Sequence, residues 1–120
     1  SNPCIYTLPT LSSMMLDTKI RFVLGSNNTS TTNYVSIHTG ALIFGSIRII
    51  LNNGGVITSS DVMSSTTGSS NVIFPHATGT TTTIYAGSYM MFRYYRSGIW
   101  EVSGVLYVGG TGVSLAAIFS

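Results

Sequence analysis

Charge is scarce in this sequence: only 7% of its 120 residues are Asp, Glu, Lys or Arg. The five basic residues are spread along the whole chain, so no segment has the density of cations that a phosphate backbone requires. Eighteen Ser, sixteen Thr and thirteen Gly supply a polar but nearly uncharged surface instead. This composition argues against nucleic acid as a partner. It is typical of an extracellular or virion protein, or of one whose apolar residues are partly hidden in an oligomer.

Groups that could perform chemistry are equally few. Three carboxylates, two histidines and one cysteine make up the inventory, and no pattern pairs two carboxylates as a glycosidase requires. The single Cys4 excludes an internal disulfide, and His38 and His76 lie far apart without metal-binding spacing. One histidine per chain on the axis of a symmetric trimer remains an alternative. The sequence therefore predicts a protein that is not an enzyme and has no metal or cofactor.

Long apolar runs are also missing. Although 44% of the residues are hydrophobic, no run of 18 apolar residues could span a bilayer, so we expect no membrane insertion. The length suits one domain, residues 1–120, with a single core. The chain starts at Ser1-Asn2 without methionine or a signal segment, and we expect it to be a fragment of a longer polypeptide.

Helical periodicity is hard to find, and the best candidate, residues 11–19, is short. Runs of β-branched and aromatic residues recur instead between Gly, Asn and Ser clusters, a pattern typical of an antiparallel sandwich or barrel. The polar segments 25–33 and 59–71 are predicted to be long exposed loops. Strands are predicted at 5–8, 19–24, 34–38, 41–44, 47–51, 56–59, 71–74, 80–85, 88–95, 99–103, 105–108 and 115–119.

The segment YAGSYMMFRYYRSGIWEVSG, residues 85–104, concentrates the aromatic residues. Alternation puts Met90, Phe92 and Tyr94 on a core face and Arg93 on a face that reaches water, with a hairpin turn at residues 96–98. Most of these aromatics are then core or subunit-interface residues. The alternative is that Tyr95, Arg96 and their neighbours form a stacking platform for a sugar.

Three segments of the chain carry a resemblance to a known family. They are YTLPTLSSMMLDTKIRFVLG, YVSIHTG and the aromatic segment with Gly87, Tyr89, Phe92, Tyr94, Gly98, Trp100 and Val102. Over residues 6–104 the chain resembles the distal β-domains of bacteriophage tail fibres and related large-virus fibre proteins. The resemblance implies a parallel homotrimer whose tip binds host-surface glycans or proteins, and a tryptophan hairpin that is mainly architectural.

These observations predict an all-β fold, an antiparallel, jelly-roll-like β-sandwich assembled as a homotrimer on the virion surface. The predicted function is attachment to a host-surface receptor, a glycan in the first place, through loops and hairpin tips. The candidate ligand-binding residues are Tyr34, His38, Tyr95 and Arg96. Two alternatives stay open: a monomeric carbohydrate-binding module of a secreted enzyme, and a purely structural virion trimerisation domain.

Overall fold

The computed structural model describes residues 4–120, so the Ser1-Asn2 start lies outside it. The described residues are nearly all β, as predicted, and contain no α-helix. Two short 3₁₀-helices, Ser13–Met15 and Leu115–Ala117, are the exceptions, and within this part of the chain no helix is long and apolar enough to cross a membrane. The strands are β1 (Cys4–Thr7), β2 (Lys19–Val23), β3 (Val35–Asn53), β4 (Val56–Met63), β5 (Ser69–Phe74), β6 (Thr83–Ile84), β7 (Tyr89–Arg96) and β8 (Ile99–Gly109).

These eight strands form one curled, mixed sheet built around the long strand β3. Along one side of β3 run β1 and then β8, followed by β7 and β2, while β5 and β4 pair with its other side. The pairings of β3 with β1 and with β8 are parallel, and the others are antiparallel. The antiparallel sandwich is therefore not confirmed, because the central pairing of the sheet is parallel.

The predicted alternation is confirmed in the strands that flank the core. Met90, Phe92 and Tyr94 are buried on the inner face of β7, and Ile47 and Ile49 are buried on the inner face of β3. Trp100, Val102, Leu106 and Val108 of β8 complete the same core. A side-chain period of two residues sends the alternate positions to the other face, and we call that face the outer face of the sheet.

Two groups of predicted strands prove to be continuous. Segments 34–38, 41–44 and 47–51 belong to the single 19-residue strand β3, whose register with β5 shifts between His38 and Ile43. Segments 99–103 and 105–108 are one strand, β8. The parallel β3–β8 pairing runs through Gly45 and Gly104 without a shift of register.

The prediction of a long loop at residues 59–71 is wrong. Most of the segment lies in β4 and β5, and only residues 64–68 connect the two strands. Its small polar side chains have weak strand propensity, yet β4 pairs in register with β3 from Val56 to Met63 through backbone hydrogen bonds. Because seven of the eight β4 residues are exposed, the strand needs no apolar alternation to form.

Two other predicted strands are shorter than expected. Segment 80–85 contains only the two-residue strand β6, and segment 115–119 contains a 3₁₀-helix followed by an isolated bridge from Phe119 to Val72. A tight turn joins β3 to β4, where Gly54 and Gly55 both have positive φ, as the two-residue hairpin loop requires. The curl of the sheet brings Tyr6 of β1 within 5.7 Å of Phe22 of β2, between ring centroids.

Candidate functional site

The outer face of the sheet carries all the charged side chains of the protein. The strand registers put Lys19 and Arg21 of β2, Arg93 of β7, Glu101 of β8 and Arg48 and Asp61 of the β3–β4 hairpin on this face. Arg96 lies at the same face, and Asp17 reaches it through an ion pair with Arg93. Since the other face is apolar and buried, any recognition of a polar ligand by the sheet occurs on the outer face.

A β-bulge at the end of β7 turns two consecutive residues toward solvent. Tyr94 is paired with Trp100 and Arg96 with Ile99, so Tyr95 is an extra residue in the β7–β8 register. An extra residue breaks the strict alternation of faces, as bulges commonly do beside binding sites. Tyr95, 45% exposed, and Arg96 therefore both reach the solvent side, whereas Tyr94 stays in the core.

These two residues form one wall of a groove of about 410 Å³ on the outer face. Phe44 and Gly45 of β3 and Ile99 and Glu101 of β8 complete its lining. Phe44 is the cross-strand partner of Glu101, and the parallel β3–β8 pairing keeps the two side chains adjacent. The groove thus offers an exposed aromatic ring, an apolar wall, a guanidinium and a carboxylate.

Arg93 fixes the charges beside this groove. Its guanidinium donates to Asp17 Oδ1 at 2.7 Å and to Glu101 Oε1 at 3.2 and 3.3 Å. These hydrogen bonds, that of Asp17 above all, raise the pKa of Arg93 above its ordinary value. Its Cζ also lies 5.1 Å from the centroid of the Tyr95 ring, and the Cζ of Arg96 lies 5.3 Å from it. The Tyr95 ring is therefore held by two cation–π contacts.

The groove stands on a well-packed base. The Tyr94 hydroxyl donates to the Leu11 carbonyl at 2.9 Å and accepts from the Gly98 amide at 3.0 Å, which ties the β7–β8 turn to the N-terminal segment. Beneath it the rings of Tyr94 and Trp100 pack at a centroid distance of 5.1 Å. Trp100 is buried, so it cannot be part of a sugar platform, in agreement with an architectural role for the tryptophan hairpin.

The four residues predicted to bind a ligand fall in three different places. Tyr95 and Arg96 lie together in the groove. Tyr34 lies in a cleft of about 230 Å³ between the 25–33 loop and β5, whose lining includes Asn27 and Asn28. His38 lies on β3, and its Nδ1 donates to Asn71 Oδ1 at 3.0 Å. The structure brings only Tyr95 and Arg96 to one site.

Besides Gly45, which has no side chain, sequence reasoning missed three side chains that line the groove: Phe44, Ile99 and Glu101. Their period-two pattern assigns them to the face of Arg93, and this signal is present in the sequence. Their proximity depends on the parallel pairing of β3 with β8, two strands that are more than forty residues apart in the chain. Nothing local in the sequence specifies that pairing.

The remaining titratable groups are dispersed. His76 Nδ1 donates to the Ala77 carbonyl at 2.8 Å, and Asp61 forms an ion pair with Arg48 at 3.0 Å. Cys4 is an exposed free thiol. Among residues 4–120, no three His, Cys, Asp or Glu side chains come close enough together to hold a metal ion.

Comparisons with known proteins leave the site to be interpreted from its own geometry. No family model matches the chain, and neither the curated proteins nor the solved structures contain a significant match.

Proposed function

We propose that the chain is a non-enzymatic attachment module, the distal domain of a viral fibre, and that its outer-face groove binds a glycan on the host surface. The observation that carries the proposal is the groove itself, where an exposed Tyr95 ring lies beside the Arg96 guanidinium and the Glu101 carboxylate. A sugar has an apolar face that packs on an aromatic ring and hydroxyls that hydrogen-bond to charged groups. Such a mixed lining is typical of small-ligand sites.

The state of the acidic groups supports a binding role rather than catalysis. Asp61 is engaged by Arg48, while Asp17 and Glu101 share the guanidinium of Arg93. A general acid needs a pKa raised toward neutrality, whereas Arg48 holds the pKa of Asp61 below its ordinary value. Asp61 is thus held in its ionised form, and the ion pairs of Asp17 and Glu101 with Arg93 hold the surface in place.

We propose further that the domain acts as a homotrimer on the exterior of the virion. Exposed apolar side chains support self-association, among them Ile57 and Met63 on β4, which are 68% and 74% exposed. Three linked grooves would gain avidity on a glycan-coated surface without any additional contact. The proximity of Tyr6 and Phe22, at opposite ends of the strand order, supports a sandwich-like closure of the curled sheet.

A glycan array tests the proposal with matched tyrosine variants. Wild-type protein, Tyr95→Ala and Tyr107→Ala are applied at equal concentration. Tyr107 is also exposed on the outer face, but it lies eight residues along β8 from Ile99, roughly 26 Å at about 3.3 Å per residue. We expect glycan signals for wild type and Tyr107→Ala and at least a tenfold loss for Tyr95→Ala. Equal signals for the two variants would exclude the groove.

Measuring the oligomeric state of the same samples separates the proposal from its alternatives. A glycan-binding trimer supports the fibre domain. A monomer that binds glycans through Tyr95 indicates instead a carbohydrate-binding module of a secreted enzyme. A stable trimer that gives a blank array indicates a structural trimerisation domain and overturns the proposed attachment function.

A further inference from the structure

We infer that the groove selects an acidic sugar, one that carries a carboxylate or a sulfate, and that Arg96 is the residue that binds its anionic group. The inference rests on the proposed glycan-binding function and specifies its ligand. It follows from the charge balance around the groove and from the state of each guanidinium.

Arg96 differs from Arg48 and Arg93 in its partners, and from Arg21 in its position beside the groove. Arg48 is neutralised by Asp61, and Arg93 by Asp17 and Glu101. Arg21 lies over the Tyr89 ring at 4.7 Å, away from the groove. Within the part of the chain that the structure describes, the Arg96 guanidinium forms no ion pair with a carboxylate, and it makes a cation–π contact with the Tyr95 ring. Its guanidinium donors are therefore available in a lined groove, and their planar geometry suits a carboxylate or sulfate.

The carboxylate of Glu101 does not cancel this positive charge. Glu101 Oε1 accepts two of the hydrogen bonds that the Arg93 guanidinium donates. The negative charge of Glu101 is therefore already paired with Arg93 on the outer face. Lys19 is the cross-strand neighbour of Arg93, which places three cations and two carboxylates in this region. The surroundings of the groove keep a net positive charge. One excess charge suits a single acidic substituent and is too little for a phosphate backbone.

The positions of the lining groups define a mode of binding. A sugar that packs its apolar face on Tyr95, between that ring and the wall formed by Phe44 and Ile99, has its polar edge near Arg96. Glu101 Oε2 accepts no hydrogen bond from any residue in the range 4–120, so it is available to a sugar hydroxyl. An aromatic platform, an anion site and a hydroxyl acceptor together match an acidic monosaccharide at the end of a glycan.

The direct test compares matched sugars and matched arginine variants. The probes are glucuronic acid, glucose and 6-sulfated glucose, each linked through its anomeric oxygen to the same multivalent support so that avidity is equal. Binding is measured for wild type, Arg96→Ala, Arg96→Lys and the control Arg21→Ala. Because a charge-assisted hydrogen bond is stronger than a neutral one, the acidic probes should bind about tenfold or more tightly than the neutral one, a difference of about 1.4 kcal/mol or more.

The variants distinguish the outcomes. We expect Arg96→Ala to abolish the preference for the acidic probes and Arg96→Lys to keep part of it, whereas the control Arg21→Ala should keep both the preference and the binding of the neutral probe. The preference should also fall at high salt. Tyr95-dependent binding without a preference for acidic probes, or a preference that survives in Arg96→Ala, overturns the inference and leaves the attachment function intact. Absence of Tyr95-dependent binding to any glycan contradicts the attachment function itself.

Discussion

Gly45 of β3 lines the groove, at a point where the backbone of β8 comes close to it. Its φ of 144° is one that residues with side chains rarely adopt, and a Cβ at this position would overlap the backbone carbonyl of Val102. Val102 is its partner in the parallel β3–β8 ladder. The floor of the groove therefore depends on a position that has no space for a side chain.

We expect Gly45→Ala to lower the free energy of unfolding by at least about 2 kcal/mol, because backbone strain of this kind costs roughly 1–3 kcal/mol before any steric overlap is counted. Gly40→Ala is the matched control. Gly40 lies in the same strand, but a Cβ there would meet no atom within 4 Å, and its backbone is not in the positive-φ region. Urea denaturation of both variants gives the comparison. Equal stability of the two would contradict the close approach of β3 and β8.

The alternation of apolar and polar residues predicts the two faces of the sheet, but it predicts little of the groove. The alternation of Ile20 and Phe22 with Lys19 and Arg21 predicts the inner and outer faces correctly, because a strand must bury its apolar side chains on one side. The exposed position of Tyr95 follows from a bulge. A bulge is fixed by the pairing of two strands and not by the residue itself.

At the scale of the elements, the β3–β4 hairpin differs from the rest of the sheet. Seven residues of β4 are exposed, and within the described range its outer edge has no partner strand. Proteins usually protect a free edge from association with another chain by means of lysine, proline or a β-bulge. The strand β4 contains no proline, lysine or arginine, and its register with β3 contains no bulge. The edge of β4 is thus a candidate surface for self-association.

A charged residue at this edge should weaken self-association. If the protein is the proposed trimer, of about three times 12.8 kDa, we expect Ile57→Lys to shift it to the mass of one chain, since like charges would meet at the interface. Thr66→Lys, in the exposed connection after β4, adds the same charge outside the strand and should leave the mass unchanged. Light scattering across a concentration series measures both. An oligomer that persists in Ile57→Lys would remove β4 from the interface.

The same hairpin contains a cross-strand ion pair with a predicted pH response. Arg48 donates to Asp61 from Nε at 3.0 Å and from Nη2 at 3.4 Å, and this hydrogen bonding holds the pKa of Asp61 below its ordinary value near 3.9. A carboxyl whose pKa is lowered in the folded state stabilises the fold above its unfolded pKa. That contribution is lost as the pH falls through the lower, folded pKa.

We therefore expect the side-chain carbon resonance of Asp61 to titrate below pH 3.9, and to move back toward this ordinary value in Arg48→Ala. In Arg21→Ala, which removes a cation from another strand of the same face, the midpoint should stay where it is in the wild type. A wild-type midpoint at or above 3.9 would show that the pair does not form in solution. Because both side chains are exposed, any effect on global stability should be small.

At the scale of the elements, the sequence predicts which strands form hairpins but does not predict which distant strands pair. The hairpins β3–β4 and β7–β8 follow from Gly54-Gly55 and from Ser97-Gly98, because turn residues act locally. The parallel pairing of β3 with β8 connects distant segments and leaves no turn signal. Without it, Phe44 and Glu101 cannot be predicted to share a groove.

On the scale of the whole molecule, the single sheet divides the protein into two chemically different sides. The inner face holds the buried apolar cluster, and the outer face holds the five basic and three acidic side chains. The bulge of β7 and the parallel β3–β8 pair meet on that outer face and produce the groove. The proposed attachment function depends on this separation, because the buried core holds the sheet rigid and the polar outer face is exposed to a ligand.

Our central proposal is that this groove binds the glycan. The most direct test is a titration of isotope-labelled protein with the strongest-binding sugar from the array, in which the shifts of the amide resonances are mapped. We predict that the largest shifts cluster at Phe44, Tyr95, Arg96, Ile99 and Glu101, while the indole resonance of the buried Trp100 stays nearly unchanged. Largest shifts at Tyr34 and the 25–33 loop, or at His38, would contradict the proposal.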